Sequence, residues 1–228
     1  MNKVKIHIFL SLALILISSS FKVYSQQDFK VTPKATGYLE YLPPDYNSNS
    51  NKYPILIFLH GMGERGPNST DFNTLKSGSN MLLKHGPPRH IKNGYKFPFI
   101  VISPQLKNNY GMWPADYIDE VVEHVKKYLR IDLSRIYVTG LSLGGGGAWA
   151  YAENYGHKIA AVAPICAGYN SPSKACNITN NKVAVWTFHG DRDNIVNMSK
   201  TVNMVNALKG CSPAPSPAPL LTIYAGVD

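Results

Sequence analysis

The strongest chemical signal is a serine between glycines, in the motif Gly-Leu-Ser-Leu-Gly at Gly140–Gly144. It directly follows a predicted strand at Arg135–Thr139 and directly precedes a helical pattern. A serine on such a strand-to-helix turn carries its hydroxyl above the carboxyl edge of a sheet, where ligands bind in open α/β folds. The motif therefore predicts that Ser142 is a nucleophile. The alternative is a glycine-rich turn that merely packs a helix on a strand.

A second motif lies at Leu59–Gly66, again at the end of an apolar strand. Backbone N–H groups just beyond such a strand can stabilise the negative charge that develops on a substrate oxygen during acyl transfer. We assign one donor to the N–H of Met62 and its partner to the N–H of Leu143. His60, which precedes the turn, is interpreted as a structural residue that bonds to backbone rather than as a catalytic one.

The third motif, at Phe188–Val196, contains two acids after another strand. A carboxylate in this place can orient a catalytic imidazole and balance its charge. Asp193 is the better candidate for that role, and Asp191 is expected to cap the turn.

Other polar residues give weaker indications. Gln105 and Trp113 follow a strand at the expected edge and are predicted to line the substrate cleft, although a surface position without a role is equally compatible. His85, Arg89 and His90 are close in sequence, but Gly86–Pro88 predicts a loop between them that lacks metal-ligand spacing. No metal site is predicted.

Continuous apolar runs alternate with helical patterns along the chain. The predicted strands are Gly37–Leu42, Tyr53–Leu59, Phe97–Ser103, Arg135–Thr139, Ile159–Ile165, Val183–Phe188 and Leu220–Tyr224, and the predicted helices are Asp116–Arg130, Leu143–Asn154 and Ser199–Leu208. Unbroken apolar strands are typical of parallel sheets buried on both faces. The alternation predicts an α/β fold with a doubly wound, mostly parallel sheet.

The first 25 residues have the layout of a signal peptide. A basic start precedes an apolar run at 6–17, and small residues precede a cleavage site before Gln26. The run is too short for a membrane anchor, which needs about 20 apolar residues. We therefore expect a secreted or periplasmic protein with one domain at 26–228 and no stable membrane insertion.

Charge and cysteine content narrow the remaining function classes. The net charge of +9 in the 228-residue chain falls to +6 without the signal peptide, because Lys3, Lys5 and Lys22 are removed. The remaining bases are scattered and carry no nucleic-acid signature, so no nucleic-acid partner is expected. Of the 3 cysteines, Cys176 and Cys211 lie in loop-like sequence and are the predicted disulfide. Cys166 ends an apolar run and is predicted to be a buried core thiol.

The three motifs, in this order and each after a strand, resemble the α/β-hydrolase superfamily. Within it, the residues Tyr38–Pro43, Leu59–Gly66, Ser103–Gln105 and Gly140–Gly145 followed by Trp149 resemble secreted feruloyl and acetyl-xylan esterases, polyhydroxyalkanoate depolymerases and predicted peptidases. The resemblance implies a cofactor-free serine hydrolase that cleaves small esters or acylated polysaccharide. Ser142 would be acylated, its oxyanion would be held by Met62 and Leu143, and water would release the acyl group.

One departure from that family concerns the general base. The family order is Ser, Asp, His, yet no histidine follows Asp193, and His189 is the last in the chain. We therefore expect a chain truncated shortly before its catalytic histidine and a closing helix, with apolar sheet surface exposed. Such a chain should be nearly inactive, since an oxyanion hole and binding alone retain only about 10³–10⁴-fold over water. A serine peptidase on the same scaffold and a non-catalytic binding protein are the alternatives.

Overall fold

One eight-stranded sheet organises residues 27–228, the part of the chain that this computed structural model describes. The predicted signal peptide at 1–25 lies outside the described residues. The strands are β1 (Asp28–Val31), β2 (Gly37–Tyr41), β3 (Tyr53–Leu59), β4 (Ile100–Pro104), β5 (Ile131–Leu141), β6 (Ala161–Ile165), β7 (Ala184–Gly190) and β8 (Leu220–Tyr224). They are ordered β1-β2-β4-β3-β5-β6-β7-β8. The β1·β2 and β2·β4 pairs are antiparallel, and the other five pairs are parallel. The doubly wound, mostly parallel sheet is confirmed.

The strand register brings the three chemical motifs to one edge of the sheet. Leu59 at the end of β3 pairs with Gly140 on β5, and Leu141 pairs with Ile165 on β6. Because the carboxyl ends of parallel strands lie at the same edge, the turns that follow β3, β5, β6 and β7 are neighbours.

Six α-helices connect the described strands. They are α1 (Phe72–Gly78), α2 (Gly86–Lys92), α3 (Ala115–Val125), α4 (Leu143–Tyr155), α5 (Ala175–Asn180) and α6 (Ser199–Lys209). The predicted loop at Gly86–Pro88 is wrong, because these residues form the first turn of α2. Proline is tolerated there since the first helical N–H groups have no intrahelical acceptor. The helix predicted at Asp116–Arg130 ends earlier, at Val125, and continues as turns.

The two faces of the sheet are covered differently. Against one face, α3 and α4 pack with the fully buried Trp149, Ile118 and Val121, which form part of the main core. On the other face, β3, β5, β6 and β7 line an apolar groove of about 630 Å³. Trp186 and Leu220 on this side are 50% and 56% exposed. The expected exposure of apolar sheet surface is thus observed.

The predicted disulfide is present and links two peripheral helices. Cys176 on α5 is bonded to Cys211, which follows α6, with Cα atoms 5.4 Å apart. The bond joins the segment after α6 to α5, which packs against α4.

Removing this disulfide should lower the free energy of unfolding by about 4 kcal/mol, the chain-entropy estimate for a loop of this length. The loop closed by the bond spans 35 residues. Urea unfolding of a Cys176→Ser, Cys211→Ser double variant would measure the loss, with Cys166→Ser as the control that leaves the disulfide intact. A double variant as stable as that control would contradict the prediction.

A buried carboxyl on α4 should make stability depend on pH. Glu153 is 3% exposed, and burial raises its pKa from 4.5 to about 7, although the Ser171 amide and Lys174 oppose the shift. The native state therefore binds this proton more tightly than the unfolded chain does. Its stabilising contribution is complete below about pH 4.5 and is lost as the pH rises through about 7.

Glu153→Gln should remove this dependence. Between pH 4.5 and 8, the unfolding free energy of the wild type should fall relative to that of the variant by on the order of 3 kcal/mol, since one pKa unit is about 1.4 kcal/mol. Urea denaturation of both proteins at several pH values measures the difference. Parallel stability curves for the two proteins would refute the assignment.

Candidate active site

Ser142 lies on a sharp turn between β5 and α4. Its backbone has φ of 55° and ψ of −112°, a conformation that a residue with a side chain rarely adopts. Surrounding bonds hold it there: the Ser142 N–H donates to Ile165 O at 2.9 Å, and its carbonyl accepts from Gly146 and Gly168. A strained residue held this firmly at a strand end is typical of a functional position.

The glycines of the motif are required by close backbone approach. A Cβ on Gly144 would lie 1.9 Å from the carbonyl oxygen of Leu59, and one on Gly140 would lie 2.3 Å from Gly144 O. The serine turn is therefore pressed directly onto the end of β3, from which the second motif continues.

Two backbone N–H groups lie near Ser142, those of Met62 and Leu143. Gly61 adjoins the candidate nucleophile, since the position that its Cβ would take is 3.9 Å from the Ser142 Cβ. Met62 follows Gly61, and Leu143 follows Ser142 as the first residue of α4. Among the described residues, neither the Met62 N–H nor the Leu143 N–H donates to a protein acceptor. This arrangement is compatible with an oxyanion hole.

The structure places Gln105 and Trp113 inside the protein rather than along an open cleft. Gln105 is 4% exposed and its amide donates to Glu64 O and Gly78 O, while Trp113 is 1% exposed and its indole donates to His60 O. Both side chains thus bond to backbone carbonyls of neighbouring segments: Gln105 to the Met62–Glu64 turn and to Gly78, and Trp113 to His60. A position after β4 does not by itself determine which way such a side chain points.

His60 has the structural role that the sequence suggested. Its Nδ1 lies 2.6 Å from Gly61 O, and its Nε2 accepts from the Leu106 N–H at 3.0 Å. Burial lowers its pKa to about 4, so the ring is neutral at pH 7. Both ring nitrogens are used, which leaves no free nitrogen to serve as a base.

Asp193 lies in the loop after β7 and is held as an oriented carboxylate. Its Oδ1 accepts from the N–H groups of Ile195 and Val196, both at 2.8 Å. Partial burial opposes ionisation, but the Val196 and Ile195 amides and the nearby His189 outweigh it and lower the pKa. Asp191, expected to cap this turn, instead accepts from the Gly226 N–H beyond β8 at 2.7 Å.

His189 is buried and contacts the loop after β7 that carries Asp193. It is 1% exposed, and its ring nitrogens contact Thr201 Oγ1 at 2.7 Å and Val196 O at 2.8 Å. Its Nε2 is also 3.4 Å from Asp193 Oδ2. Because the ring is enclosed and both nitrogens have partners, it does not serve as an imidazole that could reach Ser142.

Sequence reasoning missed the position of Cys166. The prediction of a core thiol is wrong, since this free cysteine is only partly buried and directly follows β6 with φ of 38°. Burial raises the pKa of its thiol; the Ser142 backbone opposes the shift and the charge of Asp193 adds to it. Cys166 thus lies between the candidate nucleophile and the candidate acid. Its position directly after a predicted strand, between the strands that precede Ser142 and Asp193, is the feature of the sequence that indicates this location.

Two further observations concern the described part of the chain. No group of three or more His, Cys, Asp or Glu side chains there is arranged to hold a metal ion. None of its helices has both the length and the apolar character needed to cross a membrane.

The sequence is similar to those of known esterases. The chain is 27% identical over 192 residues to a bifunctional acetylxylan esterase/xylanase of Neocallimastix patriciarum, covering 81% of this chain and 25% of that protein. It is 25% identical over 191 residues to feruloyl esterase D of Neurospora crassa, covering 81% and 63%. The chain therefore spans between a quarter and just under two thirds of these curated relatives.

Structural and family comparisons agree with this result. The crystal structure of a thermostable esterase superposes with a TM-score of 0.63 at 25% identity, covering 87% of this chain and 54% of that one. The family model described as Phospholipase/Carboxylesterase matches residues 46–216, most of the chain. The strand order, the serine turn and these matches lead to one conclusion: the chain belongs to the phospholipase/carboxylesterase family of α/β-hydrolases.

Proposed function

We propose that this chain is the catalytic part of an exported serine hydrolase that cleaves carboxylic esters, either small esters or acyl groups on plant polysaccharide. The observation that carries the proposal is the strained Ser142 turn, which adjoins two N–H groups without a protein acceptor among the described residues. The acetylxylan esterase and feruloyl esterase names of the relatives support the substrate class.

In the proposed mechanism, the Ser142 Oγ attacks the acyl carbon while a histidine takes its proton. The N–H groups of Met62 and Leu143 stabilise the oxyanion, which collapses as the alcohol leaves with that proton. Water then attacks the acyl-serine ester, and the carboxylic acid and free Ser142 are regenerated. Asp193 orients the imidazole and stabilises its charged form.

The proposed base is a histidine in a segment that continues from Asp228. Residues after β8 lie against the loop after β7 that carries Asp191 and Asp193. Val227 O accepts from the Arg192 N–H at 2.9 Å, and the Gly226 N–H donates to Asp191. A segment that continued from there would start beside Asp193. We expect the protein expressed to its natural stop codon to hydrolyse esters at least about 10²-fold faster than a chain ended at Asp228. Equal rates for the two proteins would contradict this proposal.

The substrate class is tested with methyl ferulate, acetylated xylan and peptide p-nitroanilides on the protein expressed to its natural stop codon. Ser142→Ala supplies the blank. Ferulate or acetate release that depends on Ser142 supports the ester hydrolase. Ser142-dependent cleavage of the anilides alone would favour the peptidase alternative, and no turnover of any substrate would favour a binding protein.

The choice between the two acids after β7 is a separate prediction. Asp193→Asn should lower kcat by on the order of 10³-fold or more, because an amide cannot stabilise the imidazolium. Asp191→Asn is the matched control, since an asparagine oxygen can still accept from the Gly226 N–H. Steady-state kinetics on a p-nitrophenyl ester measure both. A larger loss in the Asp191 variant would reverse the assignment.

A further inference from the structure

A buried carboxylate lies beside the nucleophile, on the short turn that bears Met62. Glu64 is 4% exposed, and its Oε2 is 3.2 Å from the position that a Cβ on Gly61 would take. The Ser142 Cβ is 3.9 Å from the same position. The carboxylate and the nucleophile therefore flank the same glycine. Nothing in the proposed mechanism uses this charge.

The other oxygen of this carboxylate is bound by a histidine from the start of α2. The His85 Nδ1 contacts Glu64 Oε1, and the His85 side chain is 53% exposed while that of Glu64 is 5% exposed. In the described part of the chain, His85 is the one ion-pair partner of Glu64. A buried carboxylate needs such a donor, because burial without one is costly.

Arg65, the neighbouring cation, is not a partner of the Glu64 carboxylate as His85 is. The guanidinium of Arg65 donates to the carbonyl oxygens of Met62, Asn108 and Tyr110, at 2.9–3.2 Å. These bonds brace the backbone of the turn and do not involve the Glu64 carboxylate. Gln105 also supports the turn, because its amide donates to Glu64 O at 3.0 Å, whereas the Glu64 N–H to Gly61 O bond within the turn is long, at 3.4 Å.

Loss of His85 would leave the Glu64 carboxylate in need of another donor. The Met62 N–H lies in the same turn, two residues before Glu64, and donates to no acceptor among residues 27–228. A carboxylate that turned to this N–H would occupy the donor that the substrate oxygen needs. Its uncompensated charge would also oppose a developing oxyanion.

We propose that His85 is a positioning residue for the oxyanion hole, whose bond to Glu64 keeps the carboxylate away from the Met62 N–H. The inference rests on the proposed ester hydrolysis at Ser142. It predicts an effect on the transition state rather than on substrate binding, because the N–H donor is needed most when negative charge develops on the oxygen.

The test is p-nitrophenyl acetate hydrolysis by the protein expressed to its natural stop codon. His85→Ala should lower kcat on the order of tenfold or more with little change in KM, as expected for a weakened oxyanion donor. His85→Gln, whose amide can donate to Glu64, should retain more activity. The decisive variant is the Glu64→Gln, His85→Ala double, which should be faster than His85→Ala alone because the unpaired charge is gone. His90→Ala, on the same helix, is the control.

The outcomes separate this inference from the proposed function. If the wild type is active and Ser142→Ala is not, the function stands. In that case, a His85→Ala variant with wild-type kcat, or a double variant no faster than His85→Ala, overturns the positioning role. A wild type no faster than Ser142→Ala overturns both. If His85→Ala does not fold, the same comparison is made with His85→Leu, whose side chain has no donor, and the Glu64→Gln, His85→Leu double.

Discussion

In the protein expressed to its natural stop codon, Ser142→Ala should reduce ester hydrolysis by on the order of 10⁵-fold, the largest loss expected from any single substitution. In the proposed mechanism the hydroxyl is the group that forms the acyl intermediate, and the methyl group of alanine cannot replace it. The remaining rate should reflect only binding and the oxyanion donors.

This loss should occur without a loss of stability. Removing one hydroxyl creates no large cavity, and the Ser142 backbone bonds to Ile165, Gly146 and Gly168 remain. Thermal unfolding and p-nitrophenyl acetate hydrolysis, measured on the same preparations, separate the two effects. Ser173→Ala, at an exposed serine just before α5, is the matched control. A Ser142→Ala variant that retained a tenth of the activity would show that another residue is the nucleophile.

Gly144→Ala should cause the largest loss of stability. The new methyl group would lie 1.9 Å from Leu59 O and 2.4 Å from Leu59 C, and both are backbone atoms that no rotamer change can move. The end of β3 and the start of α4 must then separate, which we expect to cost about 4 kcal/mol or more. For a domain of this size, each kcal/mol lowers Tm by about 2–4 °C.

The control for this substitution is Gly111→Ala. No heavy atom lies within 4 Å of the position its Cβ would take, so stability should remain close to that of the wild type. Differential scanning fluorimetry of the two variants measures the contrast. Because Gly144 also adjoins the serine turn, the alanine variant should lose activity in parallel with Tm. Equal Tm values for Gly144→Ala and Gly111→Ala would refute the packing argument.

Local patterns were sufficient to predict seven of the eight described strands and the three turns at the sheet edge, but not the edge strand β1. β3 and β8 have the predicted bounds, and α4 begins at the predicted Leu143, because runs of apolar residues and glycine turns are local properties of the chain. The Cys176–Cys211 disulfide followed from loop-like sequence around both residues. The short helices α1, α2 and α5 were missed because each is stabilised mainly by packing on other elements.

Contacts between distant segments could not be predicted in this way. The Glu64–His85 pair joins residues 21 positions apart, and no pattern in either segment indicates the other. Gln105 and Trp113 lie after β4 as expected, but their side chains point inward because backbone carbonyls of Glu64, Gly78 and His60 accept their hydrogen bonds. Cys166 was read as the end of an apolar run, whereas the register of β6 against β5 and β7 places it between Ser142 and Asp193.

The exposed side of the sheet has a practical consequence for handling the chain. β8 is the last strand on its side among the described residues, and its Leu220, which pairs with the exposed Trp186, and its Tyr224 are 56% and 50% exposed. An edge strand with unpaired backbone groups next to apolar side chains is a template for other strands, and natural proteins normally protect such edges. Residues 27–228 alone are therefore expected to self-associate as concentration rises, so kinetic assays should be made in dilute solution.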